Sequence, residues 1–125
     1  METVTPATTR ARARHHEFLI DKLPPSGGTD KAPMASEYFL ASLASCHITT
    51  AHKVAQRRRV DLAAVKVRAT AWFDGDLISK IRLEIRTRGA LTAEDRDTVF
   101  RLTERICTIS RATSTPIEHA FLPWA

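Results

Sequence analysis

The sequence is poor in several features that would settle its class at once. It holds two cysteines, Cys46 and Cys107, in 125 residues, whereas small secreted scaffolds carry a denser cysteine framework. The two lie far apart, there is no CxxC, and no closely spaced pair of ligands marks a zinc site. No apolar run approaches the roughly 20 residues that span a bilayer, which excludes a membrane partner of that kind. Basic residues occur over 1–14 without a following apolar h-region, so a secretory signal is not expected and the cytosol (a cytoplasmic location) is. Aromatic residues make up only 6% of the chain, a thin supply for stacking on bases. The formal net charge of +5 raises nucleic acid as a partner. The scatter of the basic residues over several elements weighs against it, and Arg57-Arg58-Arg59 suits the negative end of a helix dipole.

What is present fits one globular domain over residues 1–125. A chain of 14.0 kDa with 43% hydrophobic and 26% charged residues has the size and balance for a single core. From Thr8 to Asp21, Arg10, Arg12 and Arg14 alternate with Ala11 and Ala13, then Phe18, Leu19 and Ile20 follow; this period of two predicts a strand. Pro24, Pro25, Gly27 and Gly28 then break regular structure in an ordered loop.

Residues 36–56 contain neither Pro nor Gly and predict a helix with Ser36 as N-cap. Its first half (Tyr38, Phe39, Leu40, Leu43, Cys46 and Ile48 among others) is apolar on nearly every side, so the helix is expected to be central and buried. Val65, Val67, Ala69, Ala71 and Phe73, then Ile81, Leu83 and Ile85, alternate with polar residues around an Asp74-Gly75-Asp76 turn, which predicts an antiparallel hairpin. Thr92 caps a second helix with Glu94 and Asp95 in its first turn and Val99, Leu102 and Ile106 as its apolar stripe. Cys107 ends that helix, and residues 116–124 predict an edge strand. The element order is that of an α+β fold.

Either cysteine alone is more often an inert core residue than a reactive one. The pair carries more weight, because small or hydroxyl neighbours (Ala44-Ser45 before Cys46, Thr108 and Ser110 after Cys107) leave room beside each sulfur. Gly27-Gly28-Thr29-Asp30-Lys31-Ala32-Pro33, followed by Glu37-Tyr38-Phe39-Leu40-Ala41-Ser42-Leu43-Ala44-Ser45-Cys46, resembles the signature of the OsmC/Ohr family. Cys107-Thr108-Ile109-Ser110 is similar to that family's second cysteine motif.

The resemblance implies an intertwined homodimer, OsmC-like, with long central helices wrapped by antiparallel sheets from both chains. It also implies a cysteine peroxidase that reduces organic hydroperoxides, and hydrogen peroxide more weakly, in oxidative stress defence. Cys46 would become a sulfenic acid, Cys107 would condense with it to a disulfide, and a dithiol reductant would restore the pair. No cofactor or metal is implied. In the family an arginine from the N-terminal region, oriented by a glutamate, holds the thiolate; Glu37 is the glutamate here, and Arg12 is favoured among Arg10, Arg12 and Arg14, which read equally well as a solvated basic edge that discourages sheet aggregation. Glu37 stands nine residues before Cys46, roughly 13 Å along a helix, so it acts only through such an arginine.

The chain departs from the Ohr pattern in having Thr108 where a proline follows the second cysteine, Ser36 at the usual acidic position, and His47 after the first cysteine. His47 and His52 on this helix read more simply as packed or solvent-facing residues than as ligands. The departures motivate a second reading, an OsmC fold of weak peroxidase activity that binds a small molecule or senses redox state.

Overall fold

The computed structural model describes all residues, Met1–Ala125, and the chain forms two compact units, Met1–Phe39 and Leu40–Ala125. The first unit contains a three-stranded antiparallel sheet of β1 (Glu2–Thr3), β2 (Thr9–Ala13) and β3 (His16–Ile20) in that order. The stretch predicted as one strand is therefore a hairpin. Arg14 takes the left-handed conformation (φ 57°) and reverses the chain, so it leaves the face that Arg10 and Arg12 share. No Gly, Asn or Asp marks this turn, which is why the alternation pattern runs straight through it.

Beyond β3 the loop is organised by one carboxylate. Asp21 is buried and accepts hydrogen bonds from the Thr8 hydroxyl, the Lys22 N–H, the hydroxyl and N–H of Thr29, and the Lys31 N–H. The Lys31 N–H, then the Thr29 hydroxyl, hold its carboxyl well below the usual range against the cost of burial. The glycine pair has separate reasons. Gly27 sits at φ 86°, and a Cβ on Gly28 would stand 1.7 Å from the Lys22 carbonyl oxygen.

The long helix α1 runs Ala35–Arg58, so it starts one residue before the expected cap. Ser36 lies inside the first turn, and the Glu37 carboxylate accepts the Met34 N–H at 2.8 Å, one half of a capping box. At the far end Arg59 adopts φ 57°, with Val60 N–H donating to Ala55 C=O and Arg59 N–H to Gln56 C=O. These two bonds are a Schellman closure carried by a residue other than glycine. All-round burial is not met within the chain. Leu43, His47, Ala51, Val54 and Ala55 are buried on one stripe, while Ala41, Ser42, Ser45 and Thr49 are exposed.

The second unit carries a sheet of β4 (Ala64–Asp74), β5 (Leu77–Arg88) and β6 (Ile117–Leu122). The expected hairpin forms, with Val67 opposite Ile85 and Ala69 opposite Leu83, and Ile81, Leu83 and Ile85 are buried. A register shift between Trp72 and Phe73 moves Phe73 out of phase, leaving it 57% exposed. The edge strand forms as β6, parallel to β5. Parallel pairing needs a crossover, and α2 (Ala93–Ile106) supplies it.

Thr92 caps α2, its hydroxyl accepting the Asp95 N–H at 3.0 Å. The buried face is Val99, Phe100 and Thr103, so of the predicted stripe Val99 is on it, while Ile106 is 46% exposed. Thr103 is tolerated inside because its hydroxyl donates back to the Val99 carbonyl at 2.8 Å. Phe100 meets the rings of Phe121 and His119 edge-on, which ties the crossover helix to β6. The architecture is the mixed α+β arrangement expected, two main helices and two sheets.

Candidate functional site

The two cysteines meet inside the second unit. Cys46 lies on α1, half-buried, with the Thr50 hydroxyl one turn on at 3.8 Å. Cys107 is buried at the junction between α2 and the short helix α3 (Thr108–Arg111), ending the first and capping the second. That junction gives the site its polarity. The first N–H groups of a helix have no partner within it, and those of Thr108 and Ile109 lower the Cys46 thiol. The Cys107 thiol likewise lowers Cys46 and is itself raised by it.

These contacts push the two thiols apart. Burial raises Cys46, but the hydrogen bonds from Cys107, Ile109, Thr50 and Thr108 outweigh it and hold Cys46 below the ordinary thiol value. Burial raises Cys107 as well, and its bond to Cys46 pushes it further up, against weaker opposition from Ser110 and Ile109. The surroundings thus favour ionisation of Cys46 over that of Cys107. The thiolate is the nucleophilic form of a cysteine.

Thr108 has a role that its side chain does not announce. Proline at that position would have no N–H to offer Cys46. The backbone accepts one there, since it is the first helical position and Cys107 before it is extended (φ −64°, ψ 120°). Thr108→Pro is therefore expected to fold and to raise the Cys46 thiol. Followed by pH-dependent alkylation with iodoacetamide, its Cys46 titration moves to higher pH and reaction at neutral pH slows several-fold. An unmoved titration would mean that the backbone donor contributes nothing.

Two histidines complete the cluster. His47 is fully buried, with Nδ1 3.2 Å from the Leu43 carbonyl oxygen and 3.7 Å from Cys107 Sγ. Its Nε2 is 3.3 Å from Nε2 of His119 on β6. Burial, then the charge of His119, lower the His47 value against the Leu43 carbonyl and Glu104, and burial lowers His119. Burial thus favours the neutral form of both rings. His47 is packed, one of the two places the sequence favours for it, and it lies beside Cys107; His52 is not among these partners. His119 escapes sequence reading entirely. Its one signal is phase: it lies between Ile117 and Phe121 on the inward side of β6, opposite buried Leu83.

The other expected site residues belong to the first unit. Arg12 spends its guanidinium on Glu17 across the β2–β3 hairpin, Nη2 at 2.6 Å and Nε at 3.1 Å from one oxygen. Glu37 holds the Met34 N–H, so the two do not pair with each other in this chain. The Arg12–Glu17 pair is exposed and contributes little to stability.

Comparison with known proteins gives this arrangement its relatives. Residues 28–121 match the family model described as OsmC-like protein. A search of curated proteins found no match. Among solved structures, the chain is similar to an OsmC-like protein from Mycoplasma pneumoniae, with 14% identity, TM-score 0.82 and coverage of 94% of this chain and 89% of that one. It is also similar to an organic hydroperoxide resistance protein from Elizabethkingia anophelis, with 19% identity, TM-score 0.70 and 98% of both chains covered. An organic hydroperoxide resistance protein OsmC from Legionella pneumophila aligns at 13% identity and TM-score 0.64, over 99% of this chain and 100% of that one. At these identities the likeness is one of fold.

Proposed function

The chain belongs to the OsmC-like family, and from that premise we propose that it is a thiol-dependent peroxidase reducing organic hydroperoxides, with Cys46 as peroxidatic and Cys107 as resolving cysteine. The observation that carries the reading is two free cysteines brought together, Cys107 Sγ lying 3.7 Å from the ring of His47, the residue after Cys46, in surroundings that lower Cys46 and raise Cys107. The Cys46 thiolate attacks the peroxide oxygen, the O–O bond breaks, and the alkoxide leaves as the alcohol after taking a proton. Cys46 is then a sulfenic acid. The Cys107 sulfur displaces its hydroxyl as water and forms the disulfide, and a dithiol exchanges with that disulfide to return both thiols. This cycle calls for no metal and no organic cofactor.

The proposal extends to the rest of the family pattern. Arg12 serves as the cation near the thiolate and Glu37 as its orienting carboxylate, which requires each to give up its present partner. A homodimer is part of the reading, and the exposed small residues of α1, Ala41, Ser42 and Ser45, suit close approach of a second copy. The same reading places the protein in the cytoplasm, where a dithiol reductant is at hand and the domain works over residues 1–125.

The test is steady-state consumption of cumene hydroperoxide and of hydrogen peroxide with a dithiol reductant. Turnover with a clear preference for cumene hydroperoxide is expected. The Arg12–Glu17 pairing favours the second reading, a redox sensor or small-molecule binder with weak activity. Single-turnover oxidation of Cys46 without sustained dithiol-driven turnover would select it.

A further inference from the structure

The peroxidase cycle ends on a disulfide that a dithiol must open, and its two sulfurs are not equally open to attack. Cys107 is fully buried, whereas Cys46 is half-buried and has to be reached by the peroxide in the first step. A thiolate attacking Cys46 expels the other sulfur. The Cys107 thiolate is then set free inside the protein, where burial opposes its charge. Something there has to receive it. Resting on that two-cysteine reading, we propose that reduction begins at Cys46 and that the Ser110 hydroxyl is the donor that receives the departing Cys107 sulfur.

Ser110 is buried and its Oγ has no hydrogen-bond partner, a state that native hydroxyls rarely keep without reason. Cys107 caps α3 and Ser110 is the third residue of that helix, the two positions whose side chains face each other in a capping box. The cap N–H that a third-position side chain usually takes is already given to the Thr103 carbonyl at 2.8 Å. The hydroxyl is thereby left to the sulfur, and it favours the Cys107 thiolate. In a thiol or a disulfide that sulfur is a weak acceptor. As a thiolate it is a charged one, and a rotatable hydroxyl turns to it.

The other groups facing this sulfur are Cys46 and His47, both from α1. The Leu43 carbonyl oxygen 3.2 Å from His47 Nδ1 only accepts, so that nitrogen carries a hydrogen, and it lies 3.7 Å from Cys107 Sγ. This N–H already has a partner, whereas the serine has none, so Ser110 gains most from a negative sulfur. Cys46 raises Cys107 while both are free, and a mixed disulfide at Cys46 removes that opposition.

In the step, one sulfur of the dithiol monoanion bonds to Cys46, the S–S bond breaks, and its electron pair stays on Cys107. The second thiol of the reductant loses its proton to Cys107 and attacks the first reductant sulfur, which releases Cys46 as a thiolate. The products are the oxidised dithiol, a Cys46 thiolate and a Cys107 thiol, with no electron or proton left over. This is the ionisation that the surroundings favour at rest.

The test needs no peroxide. Wild type oxidised with diamide to the disulfide is treated with glutathione, quenched in acid and mapped by mass. Glutathione is expected on Cys46, with Cys107 free. Disulfide-form Ser110→Ala should be reduced by dithiothreitol about tenfold more slowly than wild type, the scale of a hydrogen bond to a charged group. Ser110→Thr, which keeps the hydroxyl, should recover most of that rate. In a Cys46→Ser background Cys107 is the one thiol left, and adding Ser110→Ala should move its titration, read by thiolate absorbance, up by about one pH unit.

Glutathione on Cys107 overturns the proposal, as does a Ser110→Ala protein reduced at the wild-type rate. A slower Ser110→Ala whose Cys107 titration stays in place assigns the serine to packing and also overturns it. A wild type that opens at Cys46 and depends on Ser110 but ignores cumene hydroperoxide leaves this role standing and removes the peroxidase. Sustained cumene hydroperoxide turnover beside a failed serine test does the reverse.

Discussion

Cys46→Ser protein should consume cumene hydroperoxide at least about a thousandfold more slowly than wild type, since it loses the nucleophile itself. Serine is close to cysteine in size and offers a hydroxyl where the thiol meets Thr50 and Cys107, so the site around it is kept. What changes is ionisation. The hydrogen bonds from Ile109 and Thr108 that lower a thiol fall far short of ionising an alkanol near pH 7. A variant that turns over within about tenfold of wild type would place the chemistry elsewhere, beyond any single hydrogen bond's contribution.

Cys107→Ser has the second largest expected effect, and of a different kind. The serine hydroxyl still donates to Cys46, so the first oxidation proceeds, but the sulfenic acid has no partner thiol within reach. Dithiol-dependent turnover is expected to fall about a hundredfold, on the scale set by losing a positioned reactive group. Under excess peroxide Cys46 should gain two oxygens by mass, the sulfinic acid, which lies past the reversible step. An unmodified Cys46 in this variant would remove the resolving role. So would wild-type turnover, because the disulfide would then be dispensable.

Much of the fold is legible in the sequence. The β4–β5 hairpin follows from strict alternation, the α2 start from Thr92 and its acids, and the position of Cys107 from the end of that helix. Other features depend on partners distant in sequence. Asp21 gathers five hydrogen bonds from Thr8, Lys22, Thr29 and Lys31, none of which has a local signature. The turn at Arg14 lacks the residues that usually mark one. On α2, Thr103, polar by composition, satisfies its hydroxyl on its own helix and so turns inward beside Phe100, which a stripe drawn from apolar residues alone does not show.

The histidines show the same limit at the site itself. His47 stands one residue after Cys46 and 60 before Cys107, and helix periodicity alone gives no reason to couple it to the second sulfur. Only the crossover through α2, with β6 returning beside β5, brings His119 and Cys107 to the same side of α1. Departure from the family pattern at Thr108 is informative in the opposite sense. A residue that looks like a loss supplies a backbone donor that proline would lack.

The most direct measurement is a peptide map of reduced protein treated with one equivalent of cumene hydroperoxide, alkylated and digested without reductant. The account predicts one linkage, Cys46 to Cys107, formed within a single chain and giving no cross-linked dimer on a non-reducing gel. Two alkylated cysteines after the peroxide is spent, or a disulfide that joins two chains, would contradict it.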